Sequence, residues 1–174
     1  GVAVGVVVEV VIDDDGVDVG HPIRLFVKFN KKGDRLFADW TGTSKQVKGA
    51  INNTLSFTKA ATYCGVKCIL PSDIPANEGF FRCVEVKAPP GTIANGVLPA
   101  ACAARGLTGF RMVDCVLGAL AMMLPDKVMA ASDGGNTGIS IGGYDSERTA
   151  FIYVDFACGT CLLYTSPSPR DLRL

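Results

Sequence analysis

The sequence has very few of the residues that bind metal ions. His21 is the only histidine among 174 residues. Cys64 and Cys68 stand four apart, but no second ligand pair follows them at a suitable spacing. Because a closed structural zinc site needs four ligands drawn mainly from Cys and His, we expect no metal site within this chain.

Long apolar runs and clusters of like charge are also missing. The longest apolar candidate, residues 116–124, is much shorter than the roughly 18 residues that a membrane span requires. Seventeen basic residues balance seventeen acidic residues, and Lys31-Lys32 is the only adjacent basic pair. This balance argues against nucleic acid and membranes as partners. The glycine-rich segment 132–138 lacks the Lys and Ser/Thr of a phosphate-binding loop, which argues against nucleotide binding by this chain.

The two ends of the sequence differ from the ordinary termini of a domain. Residues 161–171, CLLYTSPSPRD, match the in-frame translation of a transposase adaptor used to prepare DNA sequencing libraries. We therefore expect the domain to occupy residues 1–160 and residues 161–174 to be an adaptor-derived tail without regular structure. The chain starts without Met inside the apolar run 2–12, so we also expect the natural protein to extend upstream.

The cysteines favour a cytoplasmic protein. Six of them lie among apolar residues, which predicts reduced, buried thiols and no disulfide framework. They are Cys64, Cys68, Cys83, Cys102, Cys115 and Cys158. The spacing from Cys158 to Cys161 is that of a redox C-x-x-C motif, but Cys161 falls in the adaptor-like segment, so we do not assign a redox function to it.

Hydrophobic periodicity predicts one long helix over residues 107–124. Its apolar residues recur at spacings of three and four: Leu107, Phe110, Val113, Leu117, Leu120 and Leu124. The opposite side carries charge only at Arg111 and Asp114. We therefore expect this helix to be buried on most of its circumference, and Pro125 to end it.

The remaining pattern predicts an α+β fold. A shorter helix is expected over residues 54–64, and Asp13-Asp14-Asp15-Gly16 is expected to form a turn. Alternating or apolar runs predict the strands 2–12, 23–30, 36–40, 81–87, 139–142 and 149–156. Together these elements indicate mixed, mostly antiparallel sheets around the long buried helix, in an incomplete domain.

Six polar side chains are candidates for substrate contact. Each lies at a strand end or a helix start within a loop fixed by Gly or Pro, where side chains and free amides can face a ligand. They are Asp39, Thr41, Thr43, Asn52, Asp73 and Asn77. We expect them to surround one concave surface. The alternative is that these Asp and Asn side chains only bond their own turns. The sequence assigns no catalytic residue.

Several loop motifs, taken together and in order, resemble the hydantoinase B/oxoprolinase family. The relatives of that family include the large subunits of acetone and acetophenone carboxylases, and the resemblance extends over about residues 11–159. The motifs are Asp13-Asp14-Asp15-Gly16, Asp39-Trp40-Thr41-Gly42-Thr43-Ser44, Gly49-Ala50-Ile51-Asn52, Asp73-Ile74-Pro75-Ala76-Asn77-Glu78-Gly79, Pro90-Gly91-Thr92-Ile93 and Leu98-Pro99-Ala100-Ala101.

The resemblance implies a fragment of the B-type subunit of an ATP-dependent cyclic-amide hydrolase, of the N-methylhydantoinase or 5-oxoprolinase type. A hydantoinase A-type partner subunit would use ATP to activate a small cyclic amide or carbonyl substrate, and the B-type subunit would open the ring. The resemblance places ATP on the partner and a divalent metal upstream of this chain, in a cytoplasmic hetero-oligomer. The isolated fragment is then expected to be inactive.

Two alternatives remain open at this point. The chain is either part of the large subunit of a carboxylase that resembles acetone or acetophenone carboxylase, or a non-catalytic domain that supplies a scaffold and an interface to the other subunit.

Overall fold

A computed structural model of the chain describes residues 5–129 and 136–158. They belong to two compact units, Gly1–Ala131 and Ser132–Leu174, which are described separately. The first unit contains β1 (Gly5–Ile12), β2 (Ile23–Lys32), β3 (Arg35–Asp39), α1 (Leu55–Cys68), α2 (Glu78–Phe81), β4 (Val84–Lys87), α3 (Arg105–Met123) and one 3-10 turn (Pro125–Lys127). The second contains the antiparallel hairpin of β5 (Asn136–Tyr144) and β6 (Ala150–Cys158).

The first unit is built on a four-stranded sheet in the order β1-β2-β3-β4. The first three strands pair antiparallel, whereas β3 and β4 pair parallel. The alternation in β2 is confirmed, since Ile23, Leu25, Val27 and Phe29 are buried. Successive side chains of a strand point to opposite faces, so this apolar set lies on one face of the sheet. The predicted α+β class with mostly antiparallel pairing is confirmed.

The long helix is confirmed as α3, but its most buried residues differ from the predicted leucine series. Leu120 is only 2% exposed, whereas Leu107 and Leu124 are 46% and 41% exposed. The fully buried face instead carries Met112, Cys115, Val116 and Ala119. This face is buried because α3 packs against α1 as well as against β1 and β2.

Glycine allows α1 and α3 to approach closely. A Cβ atom at Gly65 would stand 2.5 Å from Cγ1 of Val116, and one at Gly109 would stand 2.4 Å from Cε1 of Phe57. The prediction ended the shorter helix at Gly65, but α1 continues to Cys68. Gly65 is therefore a packing residue inside the helix and not its end. Thr54 is the N-cap of α1, since its side chain accepts a hydrogen bond from the backbone N–H of Phe57.

Other expectations about local structure are partly corrected. The predicted strand 81–87 begins only at Val84, because Glu78–Phe81 forms α2. The burial predicted for the cysteines is wrong for Cys64, Cys68 and Cys83, which are exposed. The prediction that these thiols form no disulfide is confirmed. The expected adaptor-derived tail and the 158–161 pair extend outside the described residues.

Within residues 5–129 and 136–158, α3 is the one helix long and apolar enough to cross a membrane. The core helix of a soluble protein passes the same test. Cys115 and Val116 of α3 are fully buried, and Sγ of Cys115 lies 3.6 Å from the carbonyl oxygen of Val8 in β1. Core packing therefore accounts for the apolar character of α3.

Candidate functional site

A layer of loops connects the strands to the helices, and its segments hold one another in place. Ser44 accepts a backbone hydrogen bond from Ile93, and Gly91 accepts one from Gln46. The side chain of Gln46 also bonds the backbone of Val97 and Pro99. We call residues 40–54 and 88–104 the loop layer. Most of the motifs that carry the family resemblance lie in this layer or in the acidic turn that contacts it.

Asp39 and Lys87 form a charged corner at one edge of the loop layer. They are the last residues of β3 and β4, and the carboxyl ends of parallel strands meet at the same sheet edge, where ligands commonly bind. The Lys87 Nζ lies 3.6 Å from Oδ2 of Asp39. The backbone N–H of Thr41 donates to Oδ1 of Asp39 over 2.9 Å, and the Thr41 hydroxyl donates to the same oxygen.

These contacts keep the carboxyl group of Asp39 ionised. Partial burial acts to raise the pKa of Asp39, but the hydrogen bonds from Thr41 and the charge of Lys87 outweigh it, so the pKa lies below its ordinary value. The corner opens on a cavity of about 190 Å³ that is also lined by Asn30 and Glu85. An ionised carboxylate beside an ammonium group can bind the N–H and the C=O of an amide at the same time.

Thr43 fixes the loop layer to β2. Its side chain is buried, donates to the carbonyl oxygen of Phe26 and accepts from the backbone N–H of Phe26. Both hydrogen-bonding functions of this hydroxyl are thus used to fix the loop to β2. A substrate contact by Thr43 stays a prediction, and its contacts in the structure are those of a positioning residue.

Asn52 is likewise a structural residue. Its side chain is fully buried. Oδ1 accepts from the backbone N–H of Val47 at 2.8 Å, and Nδ2 donates to the carbonyls of Val47, Gly49 and Ala101. This amide ties three parts of the loop layer together, and a substrate contact by Asn52 stays a prediction.

Asp73 and Asn77 lie in the loop between α1 and α2. Asn77 caps α2 by accepting a hydrogen bond from the backbone N–H of Phe80. It lines an apolar cavity of about 540 Å³, whereas Asp39 lines a different cavity. Asp73 is exposed. The structure thus brings Asp39 and Thr41 together, and a substrate contact by Asp73 or Asn77 remains a prediction.

The acidic turn after β1 is confirmed as a structural turn. Oδ1 of Asp14 accepts from the backbone N–H of Gly16, which has a φ of 76°. Asp15 accepts from the N–H groups of Val17, Asp18 and Gly49. These hydrogen bonds, that of Gly49 most strongly, lower the pKa of Asp15 from 3.8 to about 2. A Cβ atom at Gly49 would stand 2.1 Å from the carbonyl oxygen of Asp15, so this approach requires glycine.

The pKa of Asp15 predicts a specific acid sensitivity. Its folded-state pKa is below its unfolded-state value, so the stabilisation is fully present above about pH 4 and is lost as the pH falls towards 2. We expect Asp15→Asn to flatten the pH dependence of the thermal midpoint between pH 4 and pH 2. The exposed Asp13 supplies the matched control, Asp13→Asn. An unchanged acid slope in the Asp15 variant would contradict the prediction.

Another cavity, of about 480 Å³, lies between the acidic turn and the loop layer. Its lining includes Asp18, His21, Ser44 and Lys45. Sequence reasoning did not select His21 or Lys45, because neither lies in a motif with a recognisable chemical spacing. The only available signal was that His21 is the sole histidine. Among the residues that the structure describes, no group of three or more His, Cys, Asp or Glu side chains is placed to hold a metal ion.

Known proteins with similar sequences contain this domain as a small part of a longer chain. The B-type component of a putative D-/L-hydantoinase from Pseudomonas sp. strain NS671 is 30% identical over 145 residues, which are 79% of this chain and 24% of that protein. The 5-oxoprolinase of Saccharomyces cerevisiae is 29% identical over 154 residues, which are 84% of this chain and 12% of that protein.

Two solved structures share the fold. The ATP-dependent caprolactamase of Pseudomonas jessenii matches with a TM-score of 0.70 and 25% identity, over 90% of this chain and 26% of the other. A nucleotide-free acetone carboxylase matches with a TM-score of 0.64 and 16% identity, over 90% of this chain and 22% of the other. The second likeness is one of fold alone.

The family described as hydantoinase B/oxoprolinase matches residues 3–161. That match includes the whole sheet, both long helices, the loop layer and the charged corner. It also agrees with the resemblance that the loop motifs carry. The chain belongs to the hydantoinase B/oxoprolinase family.

Proposed function

We propose that this chain is part of the B-type subunit of an ATP-dependent hydrolase that opens small cyclic amides. The observation that carries the proposal is the family match over residues 3–161, together with relatives that are named as a hydantoinase component and a 5-oxoprolinase. The chain spans only 12% to 26% of the sequence and structural relatives described above. The activity, the substrate and the partners of the whole protein are therefore part of the proposal.

The charged corner supports a role in holding the ring. A cyclic amide presents an N–H donor and a C=O acceptor on adjacent atoms. The ionised carboxylate of Asp39 accepts the first, and the ammonium group of Lys87 donates to the second. Their 3.6 Å ion pair places the two functions side by side. In this proposal Asp39, Thr41 and Lys87 orient the substrate, and a hydantoinase A-type partner subunit in the cytoplasm binds the ATP that activates it.

The cofactors of the proposed enzyme lie outside this chain. ATP belongs to the partner subunit, and a divalent metal would bind upstream, where it would polarise the substrate carbonyl and activate water.

A carboxylase is the second candidate, supported by the fold shared with acetone carboxylase. The two reactions differ in their co-substrate, because a carboxylase consumes bicarbonate and a cyclic-amide hydrolase does not. The full-length protein, purified with its partner subunit, is assayed with ATP on 5-oxoproline, a hydantoin, caprolactam and acetone. We expect bicarbonate-independent ring opening of a cyclic amide. Turnover of acetone that requires bicarbonate would overturn the proposal.

The role of the corner is tested in the same assay with Asp39→Asn. Removal of a hydrogen bond to a charged group costs about 1.5–3 kcal/mol, so kcat/KM is expected to fall by about 10- to 100-fold. The exposed Asp126 supplies the control Asp126→Asn, which is expected to retain wild-type kinetics. Full activity of the Asp39 variant with an unchanged unfolding midpoint would leave Asp39 as a turn-forming residue.

A further inference from the structure

The outward face of α1 carries two thiols on successive turns. Cys64 and Cys68 are both exposed, and their thiols are free. Ser56 and Ala60, which precede them at the same spacing, are exposed as well. Residues four apart on a helix are neighbours, with Cβ atoms about 5–6 Å apart. The two sulfur atoms can therefore approach each other from side chains that small neighbours leave accessible.

The same geometry disfavours a disulfide between them. A disulfide requires Cβ atoms about 3.5–4.5 Å apart, which is closer than one helical turn places them. The pair is therefore expected to persist as a dithiol. Burial raises the pKa of the Cys64 thiol, and the neighbouring Cys68 raises it further through its charge and a hydrogen bond, so this thiol is protonated at neutral pH.

The pair also has too few metal-binding side chains near it for a closed zinc site. Tetrahedral zinc requires four ligands, and its cysteine ligands must be deprotonated. No group of three or more His, Cys, Asp or Glu side chains is placed to hold a metal within residues 5–129 and 136–158. A ligand suited to this pair needs only two sulfur atoms.

We propose that Cys64 and Cys68 form a binding site for trivalent arsenicals, which take two thiols. In the reaction of an organoarsenic oxide R–As=O with the pair, two S–H bonds break and two As–S bonds form. The arsenic oxygen takes both protons and leaves as water. Arsenic stays in the +3 state throughout, so the reaction needs no oxidant or reductant. The helix supplies the second thiol at high effective concentration, which is the source of the affinity.

The other described cysteines lack such a partner. Cys83 directly precedes β4, and its Sγ is 3.4 Å from the carbonyl oxygen of Gly79. Cys102 is half-buried and contacts the carbonyl oxygen of Ala100. Burial raises the pKa of Cys115 to about 12, and its side chain is inaccessible. Cys83 is thus an exposed single thiol, which makes it the matched control.

The test uses phenylarsine oxide as the probe and the 174-residue chain with Cys158→Ser and Cys161→Ser, which remove the other closely spaced pair. Thiols that react with a chromogenic disulfide are counted before and after titration. We expect one equivalent of phenylarsine oxide to protect two thiols. Cys64→Ser or Cys68→Ser is expected to weaken this protection by about 100-fold, whereas Cys83→Ser leaves it unchanged.

Two outcomes would overturn the proposal. One is that Cys64 and Cys68 still react with the chromogenic disulfide after one equivalent of phenylarsine oxide is added to the chain with Cys158→Ser and Cys161→Ser. The other is stoichiometric protection that survives in the Cys64→Ser/Cys68→Ser chain. Far-UV circular dichroism and the urea midpoint of each variant establish that the fold is retained, so a lost thiol contact is distinguished from a lost structure.

Discussion

Replacement of Asn52 by alanine is expected to lower the free energy of unfolding by about 3–4 kcal/mol. The buried side chain accepts from Val47 and donates to three carbonyl oxygens, at 2.8 to 3.1 Å. Alanine removes these bonds and leaves backbone groups without partners in a buried place, where each lost hydrogen bond costs about 1 kcal/mol. Urea denaturation of the 174-residue chain measures the change.

Asn77→Ala is the matched control for this prediction. Asn77 makes one capping bond at the start of α2, and the loss of such a cap costs about 1 kcal/mol. The two variants remove the same side chain, so the difference between them reports the number of bonds and their burial. Equal, small effects at the two positions would show that Asn52 does not hold the loop layer together.

The sequence predicted the helices and strands well, but it predicted less well which side of each element is buried. Strand β2 could be read directly, because alternation in a half-buried strand has one interpretation once Ile23 and Leu25 are assigned to the core. In α3 the apolar residues surround most of the helix, so periodicity alone favoured the largest side chains. The face that is fully buried carries Met112 and Ala119, and periodicity alone could not select it because the packing of α3 against α1, β1 and β2 is a set of long-range contacts.

The selection of site residues from the sequence met a related ambiguity. Asp, Asn and Thr in Gly-rich loops are equally suited to bind a ligand or to bond backbone groups. Thr43 and Asn52 bond backbone groups that are 17 and 49 residues away, and such partners cannot be identified from local spacing. Asp39 could be selected because it lies at a strand end. Its neighbour Lys87 could not, since the parallel pairing of β3 and β4 is a property of the fold.

The loop motifs have a physical explanation that the sequence did not supply. The acidic turn and the motif that begins at Gly49 occur together because Asp15 accepts a hydrogen bond from the backbone N–H of Gly49. Leu98-Pro99-Ala100-Ala101 accompanies them because Asn52 binds the carbonyl oxygen of Ala101. The motifs therefore specify contacts within one loop layer, and that layer positions the charged corner.

The second large effect is expected for Trp40, the residue between Asp39 and Thr41. Trp40 is fully buried, and its indole N–H donates to the hydroxyl of Thr62 in α1 over 3.3 Å. Trp40→Ala removes a large core side chain, which costs about 3–5 kcal/mol. Trp40, which stands between Asp39 and Thr41 in the sequence, thus attaches the charged corner to α1.

Trp40→Phe separates the packing of this side chain from its hydrogen bond. Phenylalanine keeps an aromatic ring but loses the bond to Thr62, so its cost is expected to be smaller than that of alanine. Phe37 is a half-buried aromatic residue of β3, the strand that directly precedes Trp40, and Phe37→Ala is expected to cost about 1 kcal/mol, roughly half the value for full burial. Guanidinium denaturation should rank the three variants with Trp40→Ala as the most destabilised. If Phe37→Ala were as damaging as Trp40→Ala, the anchoring role of Trp40 would be disproved, because burial would no longer distinguish the two positions.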